Sequence, residues 1–311
     1  MTLTHQQLEA VIARALPGER LAEARELAAD HYRLALPGGD RLALQIYESG
    51  AEAATAAAAL RRLRAEVDLP IPQLRASDPQ GETIGQPYLL LSELAGEPLE
   101  QALMRIDEES LYTLGRRLGE TLCRVHRLAC ERYGALEGDD PAAASDERSY
   151  VMARLERELT QCGELGILDR HTAGEVRDWF AHEFKPAGRQ AALVCGGVSP
   201  RTILVRQSEN RWRISGLLGW ERALGWSPAW DHVTFLDSAD GARYFGLRVG
   251  YGNGYDGNTS RTYEQVREHA LQPYRALLAL QRMRAAYAHA DRADRARRRD
   301  LLRGLMRMLE R

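Results

Sequence analysis

The sequence predicts an α+β fold with two lobes, a small β-rich N-terminal lobe and a larger, mostly helical C-terminal lobe. Short apolar runs separated by turn residues fill the first third of the chain, whereas apolar residues recur at helical intervals from about residue 95 onward. A chain of 311 residues is long enough for both lobes. We therefore expect residues 1–94 to form an antiparallel sheet lobe with one main helix, and residues 95–311 to form the helical lobe.

Turn signals and apolar runs define the elements of the N-terminal lobe. Thr4 and Gln7 have the spacing of a capping box, so a helix should begin there. Residues 37–40, Pro-Gly-Gly-Asp, predict a hairpin between two apolar runs. The alanine-rich residues 51–67 predict a helix. Five strands, the first three forming an antiparallel meander, are expected near residues 20–27, 31–36, 41–47, 73–77 and 86–93.

The C-terminal lobe should consist of helices interrupted by one loop-plus-hairpin unit at residues 193–221. Residues 249–258 hold four glycines, a composition typical of a mobile loop. The last helix carries five arginines between residues 292 and 299, interleaved with aspartates, which favours a solvated face over a basic patch for an acidic partner. Helices are expected near residues 99–104, 111–128, 150–162, 173–184, 263–286 and 291–309, and a loop that leads into a helix is expected at 226–236.

Composition excludes several classes of function. The net charge of −2 gives no general attraction to nucleic acid or to an anionic membrane, and Lys185 is the only lysine. The four cysteines form no C-x-x-C pair, so neither a zinc cluster nor a disulfide framework is expected. No stretch of about 18 apolar residues and no export signal is present. We expect a reduced cytoplasmic protein without a membrane span.

The loop-plus-hairpin unit has the layout of an enzyme's catalytic loop but lacks the chemistry. An apolar strand end runs into a Gly-Gly turn, then Ser-Pro, then two apolar strands joined by a polar turn. Between residues 191 and 208 there is no Asp, Glu, His, Lys or Asn. A loop shaped to hold a general base and a metal ligand therefore contains neither.

Five groups of residues carry a family resemblance, and together they span nearly the whole chain. They are residues 70–72, 88–99, 114–126, 199–205, and Trp220-Glu221 with Asp231. In this order they resemble the aminoglycoside phosphotransferase and choline kinase-like family, which has the bilobal protein-kinase-like fold. The resemblance implies ATP-dependent transfer of a phosphoryl group, and this chain looks like a degenerate member.

The resemblance places the catalytic residues of that family at positions that are empty here. The family's loop reads His-Gly-Asp, then four residues, then Asn. The corresponding positions are Cys195, Gly196, Gly197 and Thr202, so the base is replaced by glycine and one magnesium ligand by threonine. The family's hairpin ends in Asp-Trp-Glu, and Gly219 stands where the aspartate ligand belongs.

The N-terminal lobe shows the same pattern of loss. The lysine that pairs the nucleotide phosphates is replaced by Gln45. Its glutamate partner aligns with Ala56, although Glu52 lies one helical turn earlier on the same face. The remaining cofactor-cleft positions lie at the link between the lobes, at Ser92, Glu93 and Leu94.

Two functions remain open. The first is a pseudokinase without phosphoryl transfer, which binds a partner protein or a small molecule and needs no metal or other cofactor. The alternative is a divergent phosphotransferase that uses Mg-ATP and a hydroxyl acceptor, with Glu221 or Asp231 as relocated acids. In the family Asp231 corresponds to a residue that braces the catalytic loop, which is the role we favour for it here.

Three further features have a structural and a functional interpretation. Cys195 precedes two glycines and could be an exposed nucleophile, but a small buried residue is favoured because no His or Arg pair adjoins it. Trp220, Trp226 and Trp230 are expected to pack under the loop rather than to line a ligand site. Acceptor specificity in the family resides in helical-lobe loops, here residues 134–145 and 249–258.

Overall fold

The structure is a computed structural model that describes residues 2–66, 70–137, 140–186, 188, 190–256, 263–288 and 304, with only the backbone described for 263–269. The predicted helix at residues 291–309 lies outside the described residues, apart from Gly304, and so does Asp139 in the first of the predicted acceptor loops.

The N-terminal lobe is a five-stranded antiparallel sheet, in the order β1-β2-β3-β5-β4, with two helices. The predicted meander, hairpin and capping box at Thr4 are confirmed. Strand and helix ends differ from the predicted ones by at most three residues. The elements are α1 (His5–Ala15), β1 (Glu23–Ala28), β2 (His31–Ala35), β3 (Arg41–Ile46), α2 (Gly50–Glu66), β4 (Leu74–Asp78) and β5 (Tyr88–Ser92).

Successive side chains of β3 point to opposite faces of the sheet, so this strand borders two hydrophobic cores. Leu42, Leu44 and Ile46 face α1 in the core of the N-terminal lobe. Ala43 points the other way and belongs to the core that continues through α2 into the C-terminal lobe. The sheet face that carries Ala43 and Gln45 therefore borders the space between the lobes.

The C-terminal lobe is mostly helical, as predicted, with two three-stranded sheets, β10-β9-β6 and β7-β11-β8. Aspartates at the N-caps of three helices each accept a backbone hydrogen bond from the third residue of the helix. The elements are β6 (Glu97–Pro98), α3 (Leu99–Ala102), α4 (Glu108–Val125), β7 (Gly134–Ala135), α5 (Glu147–Glu164), α6 (Arg170–Glu183), β8 (Ala192–Val194), β9 (Ile203–Ser208), β10 (Arg211–Leu217), β11 (Leu224–Trp226), α7 (Ala229–Ser238), α8 (Phe245–Asp256) and α9 (Tyr263–Ala288).

The prediction of a mobile loop at residues 249–258 is wrong, because the segment up to Asp256 belongs to helix α8. Its glycines lie against the backbone of α4. A Cβ atom added at Gly250 would lie 2.0 Å from the carbonyl oxygen of Tyr112, and one at Gly254 would lie 2.0 Å from that of Arg116. The glycines are therefore explained by the close approach of two helices.

Among the described residues, no helix combines the length and apolar character that a bilayer crossing requires. All four cysteines are free thiols.

Candidate functional site

The loop between β8 and β9 is held by the carboxylate of Asp231, at the start of α7. Oδ2 accepts the backbone N–H of Cys195 and Oδ1 that of Gly196, each at 2.8 Å. Nε2 of His126 lies 3.0 Å from Oδ2, and the Asp231 side chain is fully buried. Asp231 is thus in the bracing position expected of it. Its carboxylate is bound to the loop rather than presented to the cleft.

Gly196 is fixed at a position that only glycine fits. Its φ is +82°, and a Cβ atom there would lie 2.0 Å from the carbonyl oxygen of Arg222. The indole Nε1 of Trp230 donates a hydrogen bond to the Gly196 carbonyl at 3.2 Å. Contacts with Arg222 on one side and Trp230 on the other therefore fix the turn of the loop.

Gly197, the position of the missing base, faces the side chain of Arg222. A Cβ atom at Gly197 would lie 3.3 Å from Cδ and 3.5 Å from Nη1 of that arginine. The place where the family has a carboxylate is therefore bordered by a guanidinium group.

The two positions of the missing metal ligands, Thr202 and Gly219, lie side by side. The backbone N–H of Leu218 donates to the carbonyl of Thr202 at 2.9 Å, and a Cβ atom at Gly219 would lie 3.2 Å from Cγ2 of Thr202. The Thr202 hydroxyl accepts the N–H of Ser199 at 3.0 Å and also lies 3.1 Å from the Ser199 carbonyl. These two contacts of the Thr202 hydroxyl with Ser199 close the loop.

The thiol of Cys195 is enclosed under the loop. Only 2% of the residue is exposed, and Sγ lies 3.7 Å from the carbonyl oxygen of Leu218. Burial, and then the negative charges of Asp231 and Glu221, raise the pKa of this thiol well above its ordinary value. The small buried residue favoured by the sequence fits this geometry, whereas an exposed nucleophile does not.

Gln45, at the position of the phosphate-binding lysine, is engaged with the turn between β1 and β2. Its Oε1 lies 2.7 Å from Nδ1 of His31, and its Nε2 donates to a carboxylate oxygen of Asp30 at 3.4 Å. These bonds join the side chain to the hairpin that should cover the phosphates.

On α2, Ala56 is buried and only 1% exposed, so it presents nothing to the cleft. Glu52 is the acidic residue of α2 whose negative charge acts beside the cleft. Burial raises the pKa of Tyr47, and the charges of Glu221 and then Glu52 add to this shift. The negative charges of Glu221 and Glu52 therefore both act on Tyr47.

The link between the lobes makes contacts at all three predicted positions. Ser92 Oγ accepts the backbone N–H of Gln73 at 2.9 Å. Leu94 packs against Gly216 of β10. Glu93 forms an ion pair with Arg33 of β2.

The Arg33–Glu93 ion pair crosses the cleft side of the sheet. Arg33 stands opposite Ala43 in the β2–β3 register, one of the residues on that face. Arg33 was not predicted as a site residue, because an arginine in a strand gives no local sign of its distant partner.

The tryptophans divide into two groups. Trp220 is buried and donates its indole N–H to the carbonyl of Leu217 at 2.9 Å, as expected of packing under the loop. Trp226 and Trp230 stack with ring centroids 4.5 Å apart and line a cavity beneath the loop. That cavity also contains Arg154, which was not predicted as a site residue.

Among the residues that the structure describes, no three His, Cys, Asp or Glu side chains converge as they would around a metal ion. The cleft offers no lysine at Gln45, no carboxylate at Gly219 and no amide at Thr202. These residues do not fit Mg-ATP in the manner that the resemblance implies.

The small antiparallel sheet lobe, the link, the helical lobe and the braced loop followed by a hairpin define a protein-kinase-like fold. The sequence profile described as "Phosphotransferase enzyme family", APH, matches residues 22–269. The chain therefore belongs to this phosphotransferase family. No curated protein sequence matches the chain significantly.

Solved structures show the same fold over nearly the whole chain. A protein from Ralstonia eutropha assigned as an aminoglycoside phosphotransferase has a TM-score of 0.69 at 15% identity, covering 99% of this chain and 97% of its own. A thermostable mutant of aminoglycoside phosphotransferase APH(4)-Ia, in ternary complex with ADP and hygromycin B, gives 0.67 at 12% identity, covering 97% and 98%. The macrolide 2'-phosphotransferase MphH from Brachybacterium faecium gives 0.60 at 18% identity, covering 95% and 97%. At these identities the likeness concerns the fold alone.

Proposed function

We propose that this protein is a pseudokinase, a phosphotransferase-family member that has lost phosphoryl transfer and acts by binding a small molecule or a partner protein. One observation carries the proposal. Gly197, Thr202 and Gly219, the positions of the base and both metal ligands, offer a single side-chain hydroxyl, and that hydroxyl is bonded within the loop.

The sizes of the missing contributions support this proposal. A positioned general base is worth roughly 10²- to 10⁴-fold in rate. Phosphoryl transfer depends mostly on positioning and on metal-ion electrostatics, so an enzyme without the metal ligands has little else to offer. Gln45 removes the phosphate contact of the lysine as well. Losses at four separate positions are not compensated by one neighbouring acid.

The state of the nucleotide cleft supports the proposal independently. Gln45 is bonded to His31 and Asp30, and Glu93 is paired with Arg33 across the cleft face of the sheet. A nucleotide would have to displace these contacts, which costs binding free energy. The lysine and the metal ion that normally offset this cost are missing.

Thermal denaturation with and without millimolar Mg-ATP tests the proposal, together with an assay for ATP hydrolysis. A ligand present at about 100 times its dissociation constant adds about 2.7 kcal/mol to the free energy of unfolding, which is easily seen as a shift in melting temperature. We expect no shift and no turnover. A substantial shift would show that the cleft still binds nucleotide, and turnover would contradict the pseudokinase proposal.

The divergent phosphotransferase is the second candidate, and Glu221 is the observation in its favour. The carboxylate is partly exposed, at 31%, and its negative charge adds to the effect of burial in raising the pKa of both Tyr47 and Cys195. Under this alternative Glu221→Gln abolishes ATP turnover. Glu209→Gln, in the exposed turn between β9 and β10, is the matched control and leaves turnover unchanged.

A further inference from the structure

A cavity of about 670 Å³ lies beneath the loop, between β11 and helices α5, α7 and α9. This volume is within the range of small-molecule sites. Its walls combine the polar backbone of Gly196 and Gly197 with apolar side chains. The apolar lining includes Trp226, Trp230, Leu278 and Ala285.

The charge of the lining is positive. Four arginines and two acids line the cavity, so the formal sum is 4 − 2 = +2. The acids are Asp140, which accepts two backbone N–H groups and pairs with Arg157, and Glu221, whose carboxylate lies 3.8 Å from Arg222. The arginines are Arg154, Arg222, Arg282 and Arg284.

Arg154 differs from the other arginines of the wall in its partners. Arg282 pairs with Asp237 at 3.4 Å, and Arg284 pairs with Glu158 at 2.8 Å. Among the described residues, Arg154 has no carboxylate partner. Its guanidinium group instead lies against two aromatic rings.

Two rings of the wall hold the Arg154 guanidinium in place. Its Cζ lies 5.1 Å from the ring centroid of Trp226 and 5.8 Å from that of Tyr150, and Nη1 donates to the Tyr150 hydroxyl at 3.0 Å. A guanidinium stacked on aromatic faces is pre-organised, so it loses little conformational entropy when it binds a planar anion.

Two buried donors of the same cluster lack an acceptor within the described part of the chain. They are Nε of Arg154 and Nε1 of Trp226, the latter on a residue with no exposed surface. Buried polar groups are nearly always hydrogen-bonded in folded proteins, and each exception calls for a specific partner. Both groups are donors only, so the missing partner must be an acceptor.

We propose that this cavity binds a small organic anion. Its carboxylate or phosphate group would be bound by Arg154, and its apolar part would lie along Trp230, Leu278 and Ala285. The inference rests on the proposed function, because it names the class of ligand that the binding protein takes. A polycationic aminoglycoside has the wrong charge for this wall, because four arginines and only two acids line it.

Binding of four ring compounds of similar size tests the proposal on the whole protein. The probes are benzoate, phenyl phosphate, neutral benzamide and cationic benzylamine, followed by tryptophan fluorescence and ligand-observed NMR. Both anions, or one of them, should bind in preference to benzamide and benzylamine. Comparing the affinities of benzoate and phenyl phosphate shows whether the site prefers a carboxylate or a phosphate group. Preference for benzylamine, or no binding of either anion at millimolar concentration, would overturn the proposal.

Variants locate the binding. Arg154→Gln should weaken binding of the preferred anion by about tenfold or more, as expected for loss of a charge-assisted hydrogen bond. Arg206→Gln, which removes an exposed charge of β9 outside the cavity, should leave the dissociation constant unchanged. If Arg154→Gln does not fold, Arg222→Gln on the rim, with a side chain 71% exposed, should still weaken binding by a few fold. Equal binding by all variants would contradict the assignment.

The outcomes separate this inference from the proposed function. ATP turnover together with anion binding that depends on Arg154 would reject the pseudokinase and keep the cavity assignment. No turnover and no anion binding would keep the pseudokinase and reject the cavity assignment.

Discussion

The carboxylate oxygen Oδ2 of Asp231 lies 2.8 Å from the backbone nitrogen of Cys195. This contact fixes the loop between β8 and β9. The bracing Asp231, the conformation of Gly196 and the buried Trp220 all support the backbone path of the loop. The backbone of the loop is thus held by residues other than Gly197, Thr202 and Gly219.

Asp231→Ala should destabilise the protein strongly. The substitution leaves the buried N–H of Cys195 and the partly buried N–H of Gly196 without their acceptor, and it removes the partner of His126 Nε2. Each unsatisfied buried group costs about 1–3 kcal/mol, so we expect a loss of roughly 3–5 kcal/mol. Urea unfolding followed by circular dichroism measures it.

Asp240→Ala is the matched control, because that aspartate is 81% exposed, pairs with Arg248 at the surface and accepts the backbone N–H of its neighbour Gly241. We expect a change of less than about 1 kcal/mol. Similar losses in both variants would mean that the hydrogen bonds of Asp231 do not brace the loop.

Native-state labelling should distinguish the four cysteines. Burial raises the pKa of Cys195 and Cys130, and raises that of Cys162 to about 11, so these thiols remain protonated as the pH rises past the ordinary thiol range. The thiolate is the reactive form, so iodoacetamide should modify at most the partly exposed Cys123 in the folded protein at neutral pH.

Intact-protein mass spectrometry measures this labelling, and all four cysteines should react in guanidinium chloride. Rapid native labelling of Cys195 would contradict the buried geometry and would revive it as a nucleophile.

The sheet lobe could be predicted because its signals are local. The Pro-Gly-Gly-Asp turn at residues 37–40 and the apolar runs beside it determine a hairpin within a few residues of chain. The same reasoning failed at Gly250 and Gly254, because their role depends on the backbone of α4, more than a hundred residues earlier. When the partner helix is not known, a high glycine content predicts a loop.

The resemblance predicts emptied catalytic positions because the spacing from Cys195 to Gly219 follows a family pattern, and their role stays a prediction. The cavity could not be predicted. Arg154, Trp226 and Arg284 come from three distant elements, and only the tertiary fold brings them to one wall. The closely spaced Trp226 and Trp230 were the one signal available in the sequence.

Gly250→Ala should disrupt the α4–α8 packing. The added Cβ atom would meet the carbonyl oxygen of Tyr112 at 2.0 Å, and a backbone atom cannot move aside as a flexible side chain can. We expect a loss of roughly 3 kcal/mol or more, at the upper end of overpacking effects. Thermal and urea unfolding measure it.

Gly174→Ala is the control, and it should change the stability in the opposite direction. It lies inside helix α6 with no atom within 4 Å of the added Cβ atom, so the gain in helix propensity should stabilise the protein by up to about 1 kcal/mol. Comparable destabilisation by both substitutions would show that helix packing is not the reason for glycine at residue 250.

Restoring the family residues should restore nucleotide binding if the emptied positions are what abolished it. The variant combines Gln45→Lys, Gly197→Asp, Thr202→Asn and Gly219→Asp. Thr202 and Gly219 are adjacent, so the new amide and carboxylate oxygens would lie together as a magnesium site requires. The φ of +91° at Gly219 makes the aspartate cost about 1 kcal/mol in stability, which the fold should tolerate.

Gly197→Asp alone is the control for the restored variant. It places a carboxylate beside Arg222, an exposed partner, so stability should change by less than about 1 kcal/mol. With both metal ligands still absent, it should gain no stabilisation from Mg-ATP, whereas the fourfold variant should gain a clear rise in melting temperature with Mg-ATP. If the fourfold variant also failed to respond, the loss would lie elsewhere in the cleft. The Arg33–Glu93 ion pair across the sheet face would then be the first contact to remove.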